Sequence, residues 1–149
     1  MVAAATSFLL LTACGGSHPN RETIRFRERA QQICDEARTA VQALPRGGTV
    51  AAIGGYTRRA EWILRRERGR IGALAAPASE RAGVSRLLDD WDATLAAADR
   101  IPAARDDAAI AFGLRAVHRA KLAADGVARS LAIPRCQGFS PFEPAIPTQ

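Results

Sequence analysis

The sequence predicts an all-α protein, an up-down-up-down four-helix bundle carried behind an N-terminal export signal. Three observations predict it. Of the 149 residues 32 are Ala and only 5% are aromatic, a composition that favours helix and works against sheet. Apolar residues recur at three- and four-residue steps through four successive stretches, each the mark of one helical stripe. Proline-bearing breaks at 45–48, 77, 102 and 134 divide and end those stretches. The length fits one domain, and 48% apolar residues are enough to bury a core and to exclude a wholly disordered chain.

Residues 1–13 (MVAAATSFLLLTA) are uncharged and mostly apolar, a short run ending in small residues that reads as an export signal and not as part of the fold. It is too short to span a membrane as a mature helix. It departs from the usual signal in having no Lys or Arg ahead of the apolar run. Residues 14–20 (CGGSHPN) form a polar tether.

Asn20 is the expected N-cap of the first helix. Its stripe is Phe26, Ala30, Ile33, Cys34, Ala37, Val41 and Leu44, and Pro45-Arg46-Gly47-Gly48 ends it. The second helix is expected to start near Thr49, with Ile53, Tyr56, Ala60, Ile63, Leu64, Ile71 and Leu74 on one face and Pro77 at its end. A third is expected over 79–100, with Val84, Leu87, Leu88, Trp91, Leu95 and Ala98 inward. A fourth is expected over 104–132, with Ile110, Leu114, Val117, Ala124, Ala128 and Leu131 inward. Asp106 and Asp107 fall in its first turn, where the helix dipole favours negative charge. Short connections fold four such helices most simply as an up-down-up-down bundle over 21–135. Residues 136–149, with Pro141, Pro144 and Pro147, are expected as an extended tail whose Phe139 and Phe142 tuck onto the bundle.

The four residues Leu11-Thr12-Ala13-Cys14 resemble the lipobox of bacterial lipoproteins, in which the cysteine is acylated and becomes the new N-terminus. The resemblance implies lipidation at Cys14 and a stable tether, since several acyl chains anchor where one does not. It places the domain at the cell membrane on the extracytoplasmic face. With Cys14 so consumed, Cys34 and Cys136 remain as a pair in an oxidising compartment. The bundle brings the end of the fourth helix beside the start of the first. Cys34, however, lies about 20 Å along its helix. Closing a bridge therefore requires an early stop of the fourth helix, a climb back by Pro134-Arg135-Cys136, or a first helix that projects below the bundle. The pieces Gln31-Gln32-Ile33-Cys34-Asp35-Glu36-Ala37, Ala43-Leu44-Pro45 and Ala132-Ile133-Pro134-Arg135-Cys136 are similar to those of small secreted helical lipoproteins of actinobacteria. Those proteins carry one cysteine in the first helix and one after the last, and have no established activity. The resemblance thus implies fold and location.

No catalytic constellation is expected. There is no Cys-x-x-Cys-His motif, and Met1 is the only Met, so haem ligation lacks its residues. Arg115 and Gly15 stand where a Glu-x-x-His di-iron pattern would need Glu. His18 and His118 are too few for zinc, and no nucleophile elbow, Walker loop or dinucleotide loop is present. No cofactor, no metal and no enzyme activity are therefore expected. One cluster has chemical potential. Glu67 and Lys121 fall on inward stripes at similar depth, with His118 and Asp125 flanking, so a buried Glu–Lys pair beside a His is a candidate ligand or proton site. The bland alternative is a stripe whose long side chains reach out to water. Trp62 and Phe112 lie off their stripes, where an aromatic marks either a partner surface or a wide stripe.

The net charge of +6 lies wholly in the first two helices, where residues 21–70 hold 12 Arg and 6 acids. Arg21, Arg25, Arg27 and Arg29 crowd the start of the first helix, and Arg58, Arg59, Arg65, Arg66, Arg68 and Arg70 the second half of the next. In the expected topology both groups lie at the lipidated end, with Asp99, Asp106 and Asp107 opposite. That end is expected to rest on anionic lipid headgroups or cell-wall polyanions. Nucleic acid is excluded as a partner by export and by the lack of any readout motif. The function predicted is a lipid-anchored envelope module with a binding or structural role and an unidentified protein partner. The alternative is an extracytoplasmic carrier or sensor that holds a small ligand between its helices, around Glu67 and His118.

Overall fold

The structure is a computed structural model and describes residues 19–137. Four helices follow one another: α1 (Arg21–Gln42), α2 (Val50–Gly72), α3 (Arg81–Ala98) and α4 (Asp107–Ser130). Short 3₁₀ turns follow α3 (Ile101–Ala103) and α4 (Pro134–Cys136). There is no strand among the described residues. The up-down-up-down bundle expected from the periodicity is the fold observed.

Local chemistry fixes most helix ends. Asn20 Oδ1 accepts from the Thr23 amide at 2.8 Å, Thr49 Oγ1 from Ala52 at 3.2 Å, and Asp106 Oδ1 from Ala109 at 2.8 Å. Each fills one orphan donor of a first turn. Asp106 is therefore the cap of α4 and Asp107 its first residue, three residues later than the periodicity suggested, because Pro102 turns 101–103 into a separate 3₁₀ turn. Helix α2 stops at Gly72, before Pro77, and its last carbonyls are closed by the Ala73 and Leu74 amides. α3 begins at Arg81, since Pro77 O already accepts from the Glu80 and Arg81 amides in a tight turn.

The helices do not start and stop level. Arg68 bonds Asp92 at 2.7 Å, a Cβ on Gly72 would stand 3.5 Å from Leu88, and Gly54 faces Pro102. Gly72 is thus level with Leu88, and α3 starts about two turns beyond the end of α2. α1 overhangs α2 in the same way, because Arg70 near the end of α2 meets Glu36, some four turns into α1. The lower turns of α1 pack instead on residues 73–80, the start of α3 and the end of α4. There Arg27 bonds Glu80 at 2.7 Å, and Phe26 and Ala30 join Val84, Leu87, Ala128 and Leu131.

Two stacked clusters make the core. The lower holds Ile33, Leu64, Ile71, Trp91 and Ile133 with the residues just named, and the upper holds Val41, Ile53, Tyr56, Ile63, Ile101, Ile110 and Val117. Ala30, Ala60, Ala98 and Ala128 are fully buried, so the helices approach through small side chains. Glycine does the same at two points. A Cβ on Gly83 would come within 2.6 Å of Leu131, and one on Gly113 within 2.7 Å of Ile101.

The Cys34–Cys136 disulfide is formed, with 5.2 Å between Cα atoms and a sequence separation of 102. Of the three ways to close it, the chain climbs back. Ala132 takes φ 54°, and the Ile133 amide reaches back to Ala128 O at 3.1 Å while the Ala132 amide reaches Arg129 O at 3.0 Å. That is a Schellman turn. It sends Pro134–Cys136 up the side of α1, where Arg38 donates to Arg135 O and Gln137 O at 2.8 and 2.9 Å.

Candidate functional site

The two most distinctive surface features both belong to α2. Its only acids, Glu61 and Glu67, are buried. Its outward side carries Arg58, Arg59, Trp62, Arg65 and Arg66, with Gly55 before them and Gly69 after. Trp62 is 62% exposed, and the Arg66 guanidinium lies 5.2 Å from its ring centroid, within cation–π range. Beside it an open groove of about 400 Å³ is lined by Leu44, Gly55, Arg58, Arg59, Trp62 and Ile63. Arg65 is matched by Asp99 at 2.7 Å and Arg66 by Glu67 at 2.8 Å. Arg58 and Arg59 have no carboxylate in bonding range among the described residues. Both guanidinium groups fold back over glycines: Cβ atoms on Gly54 and Gly55 would stand 3.8 and 3.7 Å from them.

The inner side of the same helix holds a carboxyl pair that the sequence did not reveal. Glu61 is 8% exposed and its Oε1 is buried without a hydrogen-bond partner. Burial first, then the charge of Asp99 and a hydrogen bond to it, push the Glu61 carboxyl up to about 7, against smaller opposing pulls from Arg65 and Arg58. Two carboxyls sharing a site keep one proton to a higher pH. Glu61 does fall on the inward side, one turn from Thr57 and from Leu64, so its burial could have been read from the spacing. Its pairing with Asp99 depends on the α2–α3 register and could not. Tyr56 also carries a buried hydroxyl without a partner, and burial raises its pKa.

The structure does not assemble the expected Glu67–His118–Lys121 site. Glu67 is 1% exposed, but Arg66 and Arg70 of its own helix satisfy it at 2.8 Å each. Lys121 is buried and bonds Asp125, one turn on in α4, at 2.7 Å. Both charges are met within their own helices and not across the core, and His118 lies on the exposed side of α4. Among the described residues no group of three or more His, Cys, Asp or Glu could hold a metal ion.

The expected basic end is also rearranged. Because α1 overhangs α2, Arg21, Arg25, Arg27 and Arg29 lie below the level of Arg65, Arg66, Arg68 and Arg70. Arg65 even bonds Asp99, which the sequence had placed at the opposite end. Five of the eight are ion-paired: Arg27 with Glu80, Arg65 with Asp99, Arg66 with Glu67, Arg68 with Asp92, and Arg70 with Glu36 and Glu67. Hydrogen bonds from Arg70 and Gln32 hold the Glu36 carboxyl below its ordinary pKa. Arg29 donates to Gln32. Exposed Glu22 and Glu28 stand among the arginines of α1, so that surface is mixed in sign.

A second open groove, of about 760 Å³, runs along the outer side of α1 between Gln31, Asp35, Thr39 and Arg135. Trp62 and Phe112, both off-stripe in the sequence, are exposed. No helix among the described residues is long and apolar enough to cross a membrane. Cys14, the export run 1–13, His18, Phe139 and Phe142 lie outside the described residues. No protein-family model, curated protein or solved structure matches the chain.

Proposed function

We propose that this protein is a lipid-anchored helical module of the bacterial cell envelope. It is held at the extracytoplasmic face through Cys14 and serves a binding or structural role without catalysis. One observation carries this proposal. The chain has three cysteines, and the bond between Cys34 and Cys136 leaves Cys14 as the odd one. That residue closes the lipobox-like Leu11-Thr12-Ala13-Cys14 behind an apolar run. A disulfide that closes nearly the whole domain fits an oxidising compartment, where such bonds persist. An odd cysteine in an exported protein calls for a separate use, and acylation supplies one.

Cell fractionation tests this. The wild-type chain is expected in the membrane fraction, resistant to high salt and released by detergent. The Cys14→Ser variant is expected in the soluble extracytoplasmic fraction. A wild-type chain found in the cytosol, with both bundle cysteines reduced, would contradict the proposal.

A further inference from the structure

We infer that the outer face of α2, centred on Trp62, is a docking surface for an anionic lipid bilayer, and this inference rests on the membrane location proposed above. Charge complementarity favours it. α2 turns four guanidinium groups outward and buries both of its carboxylates; Asp99 answers Arg65 and Glu67 answers Arg66, which leaves Arg58 and Arg59 outside any ion pair among the described residues. Neither of the two has a carboxylate in bonding range among those residues, and the buried Glu61 feels the charge of Arg58. The first helix, by contrast, interleaves acids with its arginines.

The aromatic favours the same occupant. Trp seats its ring at the headgroup level, where one edge meets hydrocarbon and the other meets water. Trp62 is 62% exposed, and the groove beside it is lined by apolar Leu44 and Ile63 together with Arg58 and Arg59. That combination accepts a phosphate against the guanidinium groups and the first carbons of an acyl chain against the apolar lining. An acidic protein partner is a poorer fit. One exposed aromatic between arginines and glycines offers little of the apolar area that a stable protein interface buries. Headgroup adhesion needs only a few cations and an interfacial ring.

The test uses the full chain carrying Cys14→Ser, with its disulfide intact, so that adhesion is read apart from anchoring. It is titrated with vesicles of phosphatidylcholine alone and of phosphatidylcholine with phosphatidylglycerol. Binding is expected only to the anionic vesicles, with weakening by salt and a blue shift of tryptophan emission that Trp62→Phe removes. The Arg58→Gln/Arg59→Gln pair is expected to weaken binding by up to about 30-fold, from roughly 1 kcal/mol per basic residue. The Arg115→Gln/Arg119→Gln pair on the outer side of α4 is expected to leave it unchanged, and circular dichroism checks that each variant is folded. Equal binding to both vesicle types would overturn the inference, as would an equal loss from the α4 pair. So would binding to poly-glutamate without binding to anionic vesicles, which would assign the face to an acidic protein. A chain that stays membrane-bound through Cys14 yet fails these tests would overturn the docking face and leave the anchor intact.

Discussion

Ala132 holds a position that chemistry would give to glycine. At φ 54° its Cβ crowds the adjacent carbonyl, at a cost of about 1–2 kcal/mol. The Schellman turn needs that conformation to lift Pro134–Cys136 onto α1, so the disulfide geometry keeps it. Ala132→Gly relieves the strain and returns part of the gain to the freer unfolded chain. The net expectation is a stabilisation of about 0.5–1 kcal/mol, measured by urea unfolding with the disulfide intact. A loss of stability would show that the turn does not strain the alanine.

Glu61 is the other residue with a definite consequence. Its carboxyl stands at about 7 in the fold against an ordinary 4.5. The folded state therefore holds the proton more tightly than the unfolded chain. Its contribution is fully present below about 4.5 and is lost as pH rises through about 7. Stability should fall across that window by something on the order of 2 kcal/mol. Glu61→Gln keeps an amide beside Asp99 without the titration. Urea midpoints from pH 4.5 to pH 8 should slope downward in the wild type and lose that slope in the variant. Parallel profiles for the two proteins would show that Glu61 does not titrate there.

At the scale of the element, helices and caps were legible because their causes are local. Asn20 caps α1 as expected, Thr49 caps α2 where its stripe was expected to start, and Asp106, read as a first-turn residue, is the cap of α4; the apolar steps of three and four mark each buried face. Errors of length arose where tertiary contact decided. Nothing in the local sequence separates Gly72 from Pro77 as the end of α2, and only the overhang of α3 explains why Leu74 and Ala76 serve as loop residues against the lower core. The glycines sort by the same logic. A Cβ on Gly126 meets nothing within 4 Å, so Gly126→Ala should stabilise by up to about 1 kcal/mol through helix propensity. Gly113 lies against Ile101, which is 1% exposed and β-branched. Gly113→Ala should lose about 1–2 kcal/mol despite the better propensity. Thermal unfolding of the two variants checks the opposite signs. A gain at Gly113 would mean that Ile101 repacks freely.

For the whole molecule, the cysteine count and the topology together pointed to the Cys34–Cys136 pair, yet the path that closes it depended on a single turn at Ala132. The candidate site was less legible still. Glu67 and Lys121 share the inward stripes as the spacing indicated, but periodicity carries no information about which partner an inward charge selects. Arginines of the same helix take Glu67, and Asp125 takes Lys121. The sequence also levelled the two arginine clusters, because helix lengths alone do not disclose an overhang. What survives is a face, Arg58 to Arg66 around Trp62, whose parts the sequence marked separately as an off-stripe aromatic and an arginine cluster; the burial of α2's acids joins them. The disulfide closes a loop with a sequence separation of 102, so Cys34→Ser/Cys136→Ser should cost up to about 5 kcal/mol on the chain-entropy account. Denaturant unfolding would show this, and an unchanged midpoint would make the bond incidental.

The central claim is that one cysteine is acylated while the other two are bonded to each other. Mass spectrometry of the protein extracted from native membranes without reductant tests it most directly. The account predicts an N-terminal peptide that begins at Cys14 with acyl mass attached, and a cross-linked peptide pair joining Cys34 to Cys136. A chain that keeps residues 1–13, with an unmodified Cys14 and free thiols at Cys34 and Cys136, would contradict it.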